Sequence, residues 1–189
     1  MSGKRKFSLL AFALLTVLIR PGSASANITY VIDVTAGGGS VTGTVTTDGT
    51  TGVLGAGDFL AWNLTLNGTG ASTTISSADL AHAVYVQGAD VTATPSALYF
   101  NYSGVDDGIL LFQDNLFSGN TYWCNATSNG TCDQGVSIAP QSFSDPSFVN
   151  VAAAGTQVIG VAPGPVPGTG LAGLAALALA GLYARTRRA

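Results

Sequence analysis

Ser40-Val41-Thr42-Gly43-Thr44-Val45-Thr46-Thr47-Asp48-Gly49 is the stretch that decides the fold class. Valine and threonine alternate around Gly43, a period of two that a half-buried β-strand shows and a helix does not. Asp48-Gly49 then supplies a strong short turn signal. The same alternation appears upstream in Ile28-Thr29-Tyr30-Val31-Ile32-Asp33-Val34. It appears again downstream in Phe59-Leu60-Ala61-Trp62-Asn63-Leu64-Thr65-Leu66, which Asn67-Gly68 ends. There the pattern predicts Leu60, Trp62 and Leu64 on one buried face. Further strands are expected at residues 83–87, 90–94, 97–102, 108–112, 121–124, 148–152 and 157–161. One helical turn is expected at 77–82, capped by Ser76 or Ser77. Many short strands separated by Gly, Asn, Asp and Ser turns predict an all-β fold: a single β-sandwich or jelly-roll-like domain over residues 27–162.

The charges are distributed as sharply as the strands. All seven basic residues lie near the termini: Lys4, Arg5, Lys6 and Arg20, then Arg185, Arg187 and Arg188. All ten acidic residues are Asp, and all stand between them, so the middle of the chain carries about −10 with no Lys or Arg. Nucleic-acid affinity rests on cations that displace phosphate counterions, so no nucleic acid is expected as a partner. The carboxylates must be solvated, cap turns or bind a cation.

The two ends read as addressing rather than fold. Lys4-Arg5-Lys6 precedes the apolar run from Phe7 to Ile19, and Ala24-Ser25-Ala26 offers small residues for cleavage between Ala26 and Asn27. Residues 1–26 are thus a signal peptide that engages the secretion machinery and signal peptidase. At the other end, Pro163-Gly164-Pro165-Val166-Pro167-Gly168 leads into an uncharged stretch, 168–184. As a helix it is about 25 Å long, barely enough to span the ~30 Å hydrocarbon core. Arg185, Arg187 and Arg188 should stay cytoplasmic, placing the domain before them outside. Both ends imply the same topology: export, transient anchoring in the inner membrane, then display at the cell surface or release.

A Pro-rich spacer, a short Ala/Leu/Gly span and a terminal Arg cluster, covering 163–189, resemble the PEP-CTERM class of bacterial sorting signals, which membrane proteases called exosortases process. Pro163-Gly164-Pro165 or Val166-Pro167-Gly168 stands where the class has Pro-Glu-Pro, a variant without the Glu. The run from Gly43 to Leu54, with Asp58 to Trp62 after it, also resembles a recurrent β-rich type of PEP-CTERM protein. The resemblance implies an exosortase-like protease as partner and a surface or matrix role beside exopolysaccharide, and it implies no reaction.

Chemistry-bearing residues are sparse. Cys124 and Cys132, with seven residues between them in an Asn/Gly/Thr-rich stretch, read as a local disulfide closing a hairpin or loop in an oxidising compartment. Asp106-Asp107-Gly108, with Asp114 beyond, is the cation candidate; flexible oxygen-rich loops outside the cell suit calcium. The plainer reading is a solvated turn. His82 is the sole histidine, so a Ser-His-Asp triad would have to use it, with Asp79 near in sequence. No G-x-S-x-G elbow accompanies it. Asp pairs could serve a glycosidase, but ten Asp in turns offer many chance pairs. Gly168-Thr169-Gly170-Leu171-Ala172-Gly173 matches a dinucleotide-binding pattern by letter only, because it follows a Pro-rich spacer rather than a strand. Trp62, Trp123 and Tyr99-Phe100-Asn101-Tyr102 could form a sugar-stacking platform; Trp62 reads better as core, and Trp123 as packing on the disulfide. Six N-x-[ST] sequons begin at Asn27, Asn63, Asn67, Asn101, Asn125 and Asn129.

The expectation is therefore a non-enzymatic cell-surface or extracellular-matrix protein, associated with biofilm or exopolysaccharide, without catalytic residues or cofactor. A carbohydrate- or calcium-binding sandwich is the alternative, and a hydrolase stands third.

Overall fold

The computed structural model describes residues 26–115, 120–127, 132, 134–140 and 148–164. The signal peptide, the expected helix at 168–184 and the Arg-rich tail lie outside the described residues. Within them, no helix is long and apolar enough to cross a membrane.

The strands are β1 (Ile28–Ala36), β2 (Gly39–Thr47), β3 (Gly52–Val53), β4 (Phe59–Asn67), β5 (Ser72–Ser76), β6 (Ala83–Gln87), β7 (Val91–Ala93), β8 (Ala97–Asn101), β9 (Ile109–Gln113), β10 (Tyr122–Ala126), β11 (Gly135–Ala139), β12 (Val149–Val151) and β13 (Thr156–Val161). They form two antiparallel sheets. The larger runs β3-β7-β8-β13-β1-β2-β4-β5 and the smaller β12-β11-β10-β9-β6. A single 3₁₀ turn, Ala56–Asp58, precedes β4.

Alternation explains the larger sheet. Tyr30 and Ile32 of β1, Val41 and Val45 of β2, Leu64 and Leu66 of β4 and Ile75 of β5 point inward and are buried. Leu110 and Phe112 of β9, Trp123 of β10 and Ile138 of β11 meet them from the smaller sheet in one shared core. Each such side chain contributes roughly 1.5–3 kcal/mol through burial. The smaller sheet is buried on its other face too. There Ile109, Leu111, Tyr122, Cys124, Ala126 and Ala139 form a second apolar cluster, joined by Cys132, with Tyr85 and Phe148 packed against it. Burial on both faces explains why 109–112 reads as an unbroken apolar run rather than an alternating one.

Asp48-Gly49 turns the chain as expected, with Thr50 N–H donating to Asp48 Oδ1 at 2.8 Å. It opens a long connection that carries β3 away to pair with β7 before β4 returns beside β2. Two other local expectations are corrected. Leu60 does not share a face with Trp62 and Leu64: a bulge sets Thr47 opposite Phe59 and Thr46 opposite Ala61, so Leu60 is the extra residue and turns outward, 49% exposed. Residues 77–82 form consecutive turns rather than a helical turn, with Asp79 N–H donating to Ser76 O and His82 N–H to Asp79 O.

Gly43 marks the tightest point of the larger sheet. Its φ of +140° suits glycine, and a Cβ there would overlap the Asn63 carbonyl oxygen on β4. Gly43→Ala is expected to destabilise the domain by about 2–3 kcal/mol in urea denaturation. Gly57→Ala, where a Cβ meets nothing within 4 Å, should stay within about 0.5 kcal/mol of the parent.

Candidate functional site

Two regions gather polar side chains: the loop end near β7 and β9, and the outward face of the larger sheet.

At the loop end, the β6–β7 and β8–β9 connections cross between sheets side by side. Asp90 sits between them, 7% exposed. Its carboxylate lies so close to Gly104 and Gly108 that a Cβ on either would overlap it. Asn101 Nδ2 donates to Asp90 Oδ1 at 3.3 Å, and Asn101 N–H donates to Asp90 O at 2.9 Å. Thr127 ties the loops together: its hydroxyl donates to Asp106 O at 2.5 Å, and Gly108 N–H donates to Thr127 Oγ1 at 2.8 Å. Burial raises the Asp90 pKa above the usual carboxylate range; the nearby Asp106 charge adds to this, and the Asn101 hydrogen bond partly offsets it.

The expected cation trio divides across this geometry. Asp106 and Asp107 are exposed on the loop before β9. Asp114 lies past the other end of β9, where its Oδ1 accepts from Asn115 N–H at 2.9 Å and Thr121 N–H at 3.3 Å. A strand of five residues separates Asp107 from Asp114, too far for one ion. Asp90, which carried no sequence signal, is the carboxylate that approaches Asp106. Among the described residues, no three His, Cys, Asp or Glu side chains group as metal ligands.

His82 holds the turn after β5. Ser76 N–H donates to His82 Nδ1 at 2.8 Å, and the same nitrogen lies 2.9 Å from Ser76 O. His82 Nε2 is 3.7 Å from Asp79 Oδ2. Among the described residues, neither ring nitrogen holds a serine hydroxyl, which a nucleophilic triad needs.

The aromatic residues do not form a platform: Tyr99 is half-buried on β8 outside the core, and the others pack within it. Phe100, Tyr102 and Trp123 are buried, and Trp62 is half-buried against Phe112 at 5.6 Å between ring centroids. Trp123 does not pack on the disulfide face: as Cys124's neighbour along β10 it points the other way, stacking on Phe112 at 5.6 Å and 10°. Cys124 and Cys132 are disulfide-bonded, Cα–Cα 6.3 Å, across the connection between β10 and β11. Ala26 and Asn27 are exposed just before β1. Pro163 and Gly164 are exposed just after β13, while Pro165, Val166, Pro167, Gly168, Arg185, Arg187 and Arg188 lie outside the described residues. Of the sequons, Asn27 and Asn63 are exposed, whereas Asn125 is fully buried and accepts from the Tyr102 hydroxyl at 2.5 Å.

The second region spans β1, β2, β4 and β5. Their registers align outward side chains in cross-strand rows: Val31-Thr44-Asn63-Ser76, Asp33-Thr42-Thr65-Thr74 and Thr35-Ser40-Asn67-Ser72. Hydroxyls and amides bond along the rows, Ser72 Oγ donating to Asn67 Oδ1 at 2.7 Å and Asn67 Nδ2 to Ser40 Oγ at 3.2 Å. Thr65 and Thr74 hydroxyls meet at 3.3 Å. The face is almost uncharged, with Asp33 its only ionisable group.

The chain matches no family model, no curated protein and no solved structure.

Because the folded pKa of Asp90 is raised, folding favours its neutral form. That contribution is fully present below the unfolded carboxylate pKa and is lost as pH rises through the folded value. Asp90→Asn is therefore expected to raise Tm at pH 7, with the difference shrinking towards pH 3. Tyr102→Phe leaves Asn125 Oδ1 buried without its donor and should cost about 1–3 kcal/mol in chemical denaturation.

Proposed function

We propose that this chain is an exported, non-catalytic β-sandwich displayed at the cell surface or in the extracellular matrix, held transiently by its C-terminal segment and sorted by an exosortase-like protease. The observation that carries the reading is the buried Cys124–Cys132 bond in a domain whose segment holds no Lys or Arg. A local disulfide of this kind belongs to an oxidising compartment. The basic residues needed to address such a domain outward stand only near the two ends of the chain. A surface of Thr, Ser, Asn and scattered Asp is compatible with long exposure to solvent beside polysaccharide.

A second reading is favoured by the rows on β1, β2, β4 and β5. They present hydroxyls and amides at the strand spacing of about 4.8 Å, and at about 6.7 Å along each strand. A neutral polysaccharide offers hydroxyls that such a grid can pair with, without needing charge. A flat glycan array for the folded protein would remove this reading and leave the first intact.

Mass spectrometry of the protein from its native host tests the leading reading. The expected species begins at Asn27, is oxidised at Cys124 and Cys132, and fractionates with membrane, surface or medium. A soluble cytoplasmic species retaining residues 1–26 and 168–189 would sink it.

A further inference from the structure

We propose that the free edge of β5 is a self-association site, where two copies of the chain pair antiparallel about Thr74 and join their larger sheets into one. The proposal begins with which backbone groups face outward. Ser77 N–H donates to Trp62 O and Gly68 N–H to Ala71 O, so the odd-numbered residues of β5 turn their backbone groups towards β4. The N–H and C=O of residues 72, 74 and 76 therefore point away from the sheet. Among the described residues β5 ends the sheet, which leaves both groups of Thr74 open.

Edge strands are usually protected by brevity, charge, proline or cover. The other sheet ends follow that rule in part. β3 has two residues and β12 three, while β6 is half-buried with the 3₁₀ turn packed against it. β5 has five residues, Ser72-Thr73-Thr74-Ile75-Ser76, with neither a charge nor a proline. Among the described residues, the His82 ring sits over one end of it, Nδ1 lying within hydrogen-bond distance of both Ser76 N–H and Ser76 O.

The occupant is a second copy because the strand is complementary to itself. A two-fold axis through Thr74 sets Thr74 opposite Thr74, Thr73 opposite Ile75 and Ser72 opposite Ser76, which is the isologous arrangement a closed dimer requires. The outward hydroxyl rows then continue across the junction, Asn63-Ser76 of one copy meeting Ser72-Asn67 of the other. Thr74 exchanges two backbone hydrogen bonds with its copy. The two further pairs, Ser72 with Ser76, form only when His82 yields Ser76, so His82 restrains the association. An edge of this length buries less than a standard interface, so pairing depends on high local concentration, as on a membrane surface.

The test uses the full chain in detergent micelles. Thr74→Cys should cross-link into dimers on mild oxidation. Thr44→Cys, exposed on the same face but two strands inward, should not. By analytical ultracentrifugation the parent should show a monomer–dimer equilibrium. Thr74→Pro removes the central N–H and Thr74→Lys places like charges together; both should leave monomer with an unchanged circular dichroism spectrum. His82→Ala frees Ser76 and should tighten the dimer about tenfold. Failure of Thr74→Cys to cross-link, equal cross-linking at Thr44→Cys, or association unaffected by both Thr74→Pro and Thr74→Lys would overturn the proposal.

Discussion

Phe112 ties the two sheets together. It projects from β9 of the smaller sheet, stacks on Trp123 of β10 at 5.6 Å, and meets Phe59 and Trp62 of β4 at 5.7 and 5.6 Å. The Phe59 contact is edge-on at 83° and the Trp123 contact nearly parallel at 10°, so one ring uses both its face and its edge. The bulge at Leu60 makes this contact available. Without the extra residue, alternation would place Phe59 and Trp62 on opposite faces of β4, and one of them would leave the core. The exposure of Leu60 is thus the local cost of setting two aromatic side chains against Phe112.

A core of this kind matters more here because charge offers the domain little. Its segment holds no Lys or Arg side chain to set against its carboxylates. The carboxylates are used instead to hold turns. Asp48 accepts from Thr50 N–H, Asp58 from Gly55 N–H, Asp79 from Ala81 N–H and Asp114 from Thr121 N–H. These bonds satisfy backbone donors that the sheets leave over, as short Asp side chains do in turns. Asp90 is the exception, buried in a glycine cradle and paired with an amide rather than a backbone N–H. Burial raises its pKa and the nearby Asp106 charge adds to this, while the Asn101 amide only partly offsets them.

The β character and most strand positions were legible because they depend on local alternation. β1, β2, β4 and β6 lie within about two residues of their expected bounds. β5 and β11 were not legible. Ser72-Thr73-Thr74-Ile75-Ser76 has one apolar residue, and Gly135-Val136-Ser137-Ile138-Ala139 is short and flanked by turn formers. Both become strands because neighbouring strands offer a free edge, a condition absent from their own residues. Asp90 was invisible for a related reason: its environment comes from Gly88, Gly104 and Gly108, on two connections that only the sheet crossing brings together, and from Asn101 at the end of β8. Cys124 and Cys132 were readable because their pairing is local. The side of the sheet on which Trp123 packs was not, since a second apolar cluster behind β10 made either face a plausible interior.

The same charge pattern bears on whether copies of the domain meet. About ten carboxylates give a repulsion that acts over roughly the Debye length, about 8 Å at physiological ionic strength. Backbone pairing and hydroxyl contacts act only at hydrogen-bond distance. β5 has no charge within its length, and the nearest carboxylate along the chain after it, Asp79, is in the following turn beside His82. In a pair related by a two-fold axis through Thr74, the two Asp79 side chains fall at opposite ends of the joined strands. Repulsion therefore sets how often two domains approach, while the neutral edge sets whether they stay. On the proposed reading of export and surface display, this division keeps the domain dispersed until concentration rises at a surface.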